Sequence, residues 1–235
     1  MNLTIGQRED ILNTYRHLRV ADVRDGLDWM GYTHYGSMSE HMRPLWRTRA
    51  IGFARTARYI PFAGPMPGHI REAYSEWSDW YYGQVCIYPW MNEIVKYDFC
   101  AIDLSNLRVG LLGSNNAMGG YRSGAVGYVA YGGVRDTDEL ILQKIPFWST
   151  KIAQPMVQSR LQYESHNAKI NCDGVCVANG DLIVADGDGV VVVPAELITD
   201  VAKWAAREMM SDREGRRKLY AEIGLPMDET VSAVL

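Results

Sequence analysis

Apolar positions along the chain change period several times, and each change predicts an element. Ile11, Tyr15 and Leu18 recur at helical spacing and predict a helix over 6–18. A second helix is predicted over 21–30, with Asp22 as its cap ahead of Val23, Leu27 and Met30. Residues 31–48 carry glycines and polar groups and read as loop. Ile51–Ile60 reads as a strand that stops at a Pro/Gly-rich break over 61–68. A stripe at Ile70, Ala73, Trp77, Trp80 and Tyr81 predicts a helix over 69–82. Strands follow at 97–104 and 108–112, a short helix at 117–123, a short strand at 127–131 and a helix at 137–142.

The remainder is β-rich, with strands predicted at 146–149, 161–170, 174–177, 182–185 and 190–193. Asn179-Gly180-Asp181 and Asp186-Gly187-Asp188-Gly189 supply tight-turn chemistry, which also accounts for the paired carboxylates Asp186 and Asp188. Pro194-Ala195-Glu196 opens a helix reaching about 210, and a shorter one follows at 213–223. The order predicts a mixed α/β fold in one domain, 1–235, with helical arms at 1–30 and 195–235, of a kind that often packs on a neighbouring subunit.

Composition narrows the function classes. The chain has 235 residues, 47% hydrophobic and 22% charged, with a formal net charge of −4. That balance is globular and argues against nucleic acid as a partner. The N-terminus lacks the apolar core of a signal peptide, and the longest aliphatic run, Val190–Val193, is far too short to cross a bilayer. A cytoplasmic protein without membrane contact is expected. Cys86, Cys100, Cys172 and Cys176 lack zinc-ligand spacing and are expected as small core residues in strands. The five histidines form no H-x-x-x-H pattern, and His166 reads as surface or structural.

Candidate chemistry concentrates in 109–139, VGLLGSNNAMGGYRSGAVGYVAYGGVRDTDE. Glycine at this density costs backbone entropy and is tolerated where the chain turns tightly or approaches a ligand. Gly113-Ser114-Asn115-Asn116 lies between a strand and a helix, where backbone N–H groups form an anion site. It is neither a P-loop nor a dinucleotide fingerprint. One strand–helix–strand unit later comes Arg135-Asp136, at the same end of the sheet. Arg135 offers a planar fork for a carboxylate, and Asp136 a hard oxygen ligand for Mg²⁺ or Mn²⁺. Glu139 shares a helical face with Asp136. Taken alone, these residues favour a capped helix start with a local ion pair.

Gly113, Gly124, Gly127, Gly132, Arg135, Asp136 and Glu139 together resemble the RraA-like family, which includes class II 4-hydroxy-4-methyl-2-oxoglutarate / 4-carboxy-4-hydroxy-2-oxoadipate aldolases. The resemblance extends to Ala21–Leu27, Gly52–Ala57 and Asn179–Pro194. It implies an α/β/α sandwich around a mixed sheet, assembled as a homotrimer or homohexamer with the active site between subunits. It implies that Arg135 binds the carboxylate of a small 2-keto acid and that Asp136 ligates a divalent metal, Mg²⁺ or Mn²⁺. Glu139 would support metal-bound water, and the amides of Gly113, Ser114, Asn115 and Asn116 would bind the pyruvyl carboxylate. The implied reaction is carbon–carbon cleavage through a pyruvate enolate, with oxaloacetate decarboxylation through the same enolate. Glu208 or Glu214 of the C-terminal arm would reach a neighbour's metal water.

Two stretches depart from the family pattern. Ser114-Asn115-Asn116 stands where the family carries an acidic residue. Residues 75–96 are longer and more aromatic than usual, and packing between subunits is favoured over a substrate-selecting wall. Some relatives bind a ribonuclease without catalysis, which is the alternative reading. A quinone methyltransferase lacks support, because no glycine-rich S-adenosylmethionine loop is present.

Overall fold

The computed structural model describes residues 3–65 and 73–232. Two helices open the chain, α1 (Ile5–Tyr15) and α2 (Val20–Trp29). In α1, Thr4 and Gln7 form a reciprocal capping box. In α2, Asp22 is not the cap. It occupies the third helical position and accepts from the Arg19 backbone N–H at 2.8 Å, so Arg19 is the flanking residue.

The remaining elements, in chain order, are β1 (Arg43–Pro44), β2 (Ala50–Pro61), α3 (Tyr74–Trp80), β3 (Asp98–Asp103), β4 (Gly110–Leu112), α4 (Ser114–Ser123), β5 (Ala125–Val134), α5 (Thr137–Leu142), β6 (Phe147–Ile152), β7 (Leu161–His166), β8 (Ile170–Cys172), β9 (Val175–Val177), β10 (Leu182–Ala185), β11 (Val190–Val193) and α6 (Ile198–Ile223). The predicted helix over 69–82 is replaced by α3 and a π-helical turn, Tyr81–Val85; residues 69–72 of that prediction, and 66–68 of the preceding break, lie outside the described residues. The predicted strand 161–170 is two strands, because Asn167 turns the chain at positive φ between them. The two predicted C-terminal helices are one helix of 26 residues. Ser211-Asp212-Arg213 contains no breaker, and Gly215 is carried within the helix.

Strand order is β1-β6-β5-β3-β2-β10-β11, with β4 added on β5 and β7 on β2. The pairings of β2 with β3, of β3 with β5, of β4 with β5 and of β5 with β6 are parallel, and the rest are antiparallel. This mixed sheet curls. Alternate residues from both of its ends, including Val129 and Trp148 on one side and Ile183 and Val192 on the other, meet in one inner core. The Trp148 indole N–H donates to the Asp186 carbonyl at 2.9 Å, tying β6 to the β10–β11 turn. The intervening alternate residues face helices. Leu182, Val184, Val191 and Val193 pack under α1, α2 and α6, whereas Cys100, Ile102, Tyr128 and Phe147 pack with Ala117 of α4, Leu140 of α5 and the aromatic segment 81–94. Helices therefore flank a mixed sheet on two sides, as the α/β reading requires.

Cys100 and Cys172 are buried strand residues as expected, and Cys86 is buried in a loop. Cys176 departs from the expectation, because its side of β9 faces outward. Among the described residues, no helix is long and apolar enough to cross a membrane.

Candidate active site

The site grows out of strand register. β4 and β5 run parallel with Leu112 opposite Val134, so the residues leaving their C-terminal ends, Gly113 and Arg135-Asp136, emerge side by side. The sequence prediction placed a helix at 117–123, but α4 begins at Ser114. Ser114, Asn115 and Asn116 are thus its first turn rather than a loop, with N–H groups that lack intrahelical partners.

Asp136 occupies the position flanking α5, where an aspartate ordinarily caps its own helix. Here its backbone is left-handed, with φ 55° and ψ 42°, and its side chain makes no bond to α5. The carboxylate turns to the neighbouring helix start instead. Oδ2 accepts from the Ser114 backbone N–H at 3.3 Å, and Oδ1 accepts from Arg135 Nε at 3.2 Å. Aspartate tolerates this conformation better than most residues, yet the strain costs about 1 kcal/mol. Glu139, one turn into α5, accepts the Ser114 hydroxyl at 2.7 Å. Ser114 therefore bridges the two carboxylates.

Two glycines make room. A Cβ on Gly113 would lie 2.1 Å from Asp136 Oδ2, and a Cβ on Gly110 would lie 2.8 Å from the Arg135 Cβ, Cγ and Cδ atoms. Gly113 has an extended backbone, so it is glycine for space and not for conformation.

Arg135, Asp136, Gly113, Asn115 and Asn116 line a cavity of about 340 Å³. Ser114 is not on its surface, but it orients Asp136. Glu139 opens instead onto an adjoining cleft of about 380 Å³, which also takes in Arg135 and Asp136. Arg135 and Asp136 form the ridge between the two spaces.

Sequence reasoning missed the far side of the first cavity: Tyr82, Tyr88, Leu111, Met156 and Val157. The one signal for it was the aromatic excess over 75–96. In that stretch Tyr81 and Trp90 are fully buried within the chain, whereas Trp80 and Tyr82 stay exposed on its surface. Burial pushes the Tyr82 phenol above its ordinary value, and nearby Arg135 acts against that rise. Burial also pushes the Cys86 thiol up to about 12, so it stays protonated and inert near neutral pH.

Elsewhere, His166 sits between the Tyr163 hydroxyl at 2.5 Å and Glu93 at 3.1 Å, a structural bridge from β7 to the segment after α3. Asp186 accepts from the Val20 and Asp188 backbone N–H groups, as a turn residue should. Glu214 pairs with Lys218 of its own helix at 2.9 Å.

Known proteins resemble this chain in both sequence and shape. A 90-residue stretch is 32% identical to the 4-hydroxy-4-methyl-2-oxoglutarate aldolase of Thermus thermophilus, covering 38% of this chain and 54% of that one. Another is 31% identical over 96 residues to an uncharacterized protein of Methanocaldococcus jannaschii, covering 41% and 46%. These matches span about half the length of each relative. Among solved structures, an uncharacterized protein from Pseudomonas syringae superimposes with a TM-score of 0.74 at 22% identity, covering 95% of this chain and 98% of that one. Streptomyces coelicolor RraAS2, described as an unusual member of the RNase ES inhibitor RraA protein family, superimposes with a TM-score of 0.73 at 22% identity, covering 92% and 98%. A family model described as RraA-like, Aldolase/RraA, matches residues 20–192, from the second helix into the last strand of the curled sheet, and on that span the chain belongs to the RraA-like family.

Proposed function

We propose that this protein is a divalent-metal-dependent lyase that cleaves a carbon–carbon bond of a 2-keto acid through a pyruvate enolate. The observation that carries this reading is the turning of Asp136 away from its own helix. Its carboxylate stands beside the Arg135 guanidinium and the first amides of α4, in one cavity.

The residues fit a hydrated divalent cation. Each Asp136 oxygen accepts one long hydrogen bond, which leaves lone pairs free toward the cavity. Among the described residues no group of three metal-ligating side chains occurs. Mg²⁺ and Mn²⁺ suit such a site, since Mg²⁺ binds through one or two carboxylates and keeps several waters. A cation held by Asp136 would supply Lewis-acid charge near the keto oxygen.

The chain's own groups do the rest. Arg135 and the N–H groups of Asn115 and Asn116 hold the keto-acid carboxylate and fix the orientation of the bond to be broken. In aldol cleavage the hydroxyl proton passes to a water beside Asp136 and Glu139, and the electron pair of the carbon–carbon bond moves onto the keto oxygen. A proton then returns to the methylene carbon, giving pyruvate and a carbonyl fragment. Oxaloacetate would lose CO₂ through the same enolate. Glu139, held by Ser114 on the adjoining cleft, would orient a water beside Asp136.

The test is pyruvate release from 4-hydroxy-2-oxo acids and from oxaloacetate, with Mg²⁺ or Mn²⁺ and with chelator. Activity should vanish with chelator and fall at least about a hundredfold in Asp136→Asn. Activity indifferent to both sinks the reading. No activity together with capture of a ribonuclease would favour a regulator that uses the same fold.

A further inference from the structure

The cavity is chemically two-sided. On one side stand Arg135, Asp136 and the start of α4. On the other stand two phenol rings, Tyr82 and Tyr88, with Leu111, Met156 and Val157. Arg135 is the one cationic side chain among the described lining residues, and in the reading above Asp136 is taken up by the divalent cation. Arg135 with the first amides of α4 can therefore hold one substrate carboxylate. A second carboxylate reaching the far side would meet Tyr82, Tyr88, Leu111, Met156 and Val157 of this chain, which offer it no counter-charge, and losing water there is unfavourable.

That far side is fixed in place. Tyr81 is fully buried, and its hydroxyl donates to the Val157 carbonyl at 3.0 Å and also to the Leu161 carbonyl. Tyr88 donates to the Leu111 carbonyl at 3.3 Å. The aromatic segment is thus pinned at both ends to the backbone segments that line the cavity beside it. Between the pins, the π-helical turn Tyr81–Val85 leaves Tyr82 on the cavity surface, 39% exposed, while its neighbour Tyr81 enters the core. Single π-turns of this kind occur often at functional sites. An anchored, half-exposed aromatic ring loses little entropy on meeting a ligand and offers a flat apolar face.

We propose that the substrate carries a single carboxylate and an apolar or aromatic group beyond the reacting bond, and that Tyr82, supported by Tyr88, selects it. This rests on the 2-keto acid reading above and narrows its substrate class to monocarboxylic acids.

Equilibrium binding tests it without requiring turnover. The probes are pyruvate, 2-oxoglutarate and 2-oxo-4-phenylbutanoate, titrated calorimetrically into the full chain with Mg²⁺. The phenyl compound should bind at least about tenfold more tightly than either of the others. Tyr82→Ala should remove that advantage, and Tyr82→Phe should retain it. Arg135→Ala should weaken all three. Tighter binding of 2-oxoglutarate, or an advantage that survives Tyr82→Ala, overturns the selectivity proposal and leaves the keto-acid site standing. Failure of all three to bind overturns both.

Discussion

Two glycine-rich, aspartate-bearing regions of this molecule look alike on paper and are used in opposite ways. In 110–136, Gly110 and Gly113 are glycine because the Arg135 and Asp136 side chains occupy the space of a Cβ. In 179–189, Gly180 has φ 93° and nothing within 4 Å of a Cβ, so it is glycine for its conformation. The carboxylates divide the same way. Asp181 accepts from the Ala178 and Ala195 backbone N–H groups, and Asp186 from those of Val20 and Asp188. Their oxygens are spent on the fold. Asp136 makes two long bonds and faces a cavity. All three carboxylates accept one hydrogen bond per oxygen, so the candidate site carboxylate stands out by its longer bonds and by the cavity it faces.

The largest contrast should come from Gly113→Ala. Its methyl group would displace the Asp136 carboxylate, and a shift of that size should cost about a hundredfold in turnover of the proposed lyase reaction. Stability should fall by about 1–3 kcal/mol, as for overpacking. Steady-state assay and urea unfolding on one preparation would show both, and a fully active variant would break the comparison on its functional side. Asp186→Ala should do the reverse, removing the acceptor for Val20 and Asp188 and costing about 1–2 kcal/mol in unfolding experiments. Its turnover should stay at the wild-type level.

The smallest effect is a titration. Burial pushes the Asp181 carboxyl above its ordinary value, against the pull of its two backbone N–H donors. A folded value above that of the unfolded chain, about 3.9, means that folding favours the protonated form. That stabilisation is complete below about 3.9 and is lost as pH rises through the folded value. Carboxyl NMR should place the Asp181 midpoint above 3.9 in the native protein, and a midpoint below it would contradict its role as a buried structural acid.

Local chemistry made some elements legible to the residue. Thr137–Leu142, Leu182–Ala185 and Val190–Val193 fall where turn residues bracket an apolar pattern. Other boundaries depend on distant groups. The start of α4 was hidden because Ser-Asn-Asn reads as loop, whereas the Asp136 carboxylate meets the first N–H group of that helix across the sheet. Strand β5 reads as short because of its glycines, yet Gly127 lies against Phe99, and Gly133 against Ala153 and Val109, where larger side chains would collide. Arg135, Asp136 and Gly113 were visible as site residues because they share a short glycine-rich stretch. Tyr82, Tyr88, Met156 and Val157 were not, since only the folded chain brings these two segments to one wall.

The three-way pairing of β2 has a consequence for the order of folding. One edge of β2 meets β3, the next strand pairing formed along the chain, but its other edge is completed by β10 over 50–53 and by β7 over 57–61. As the chain leaves the ribosome, the parallel sheet that carries Arg135 and Asp136 can assemble while that second edge stays open. It closes only when residues far downstream arrive, so the nascent chain spends an interval with an unpaired strand edge. Chaperone demand should therefore centre on that interval and end with the docking of residues 161–193.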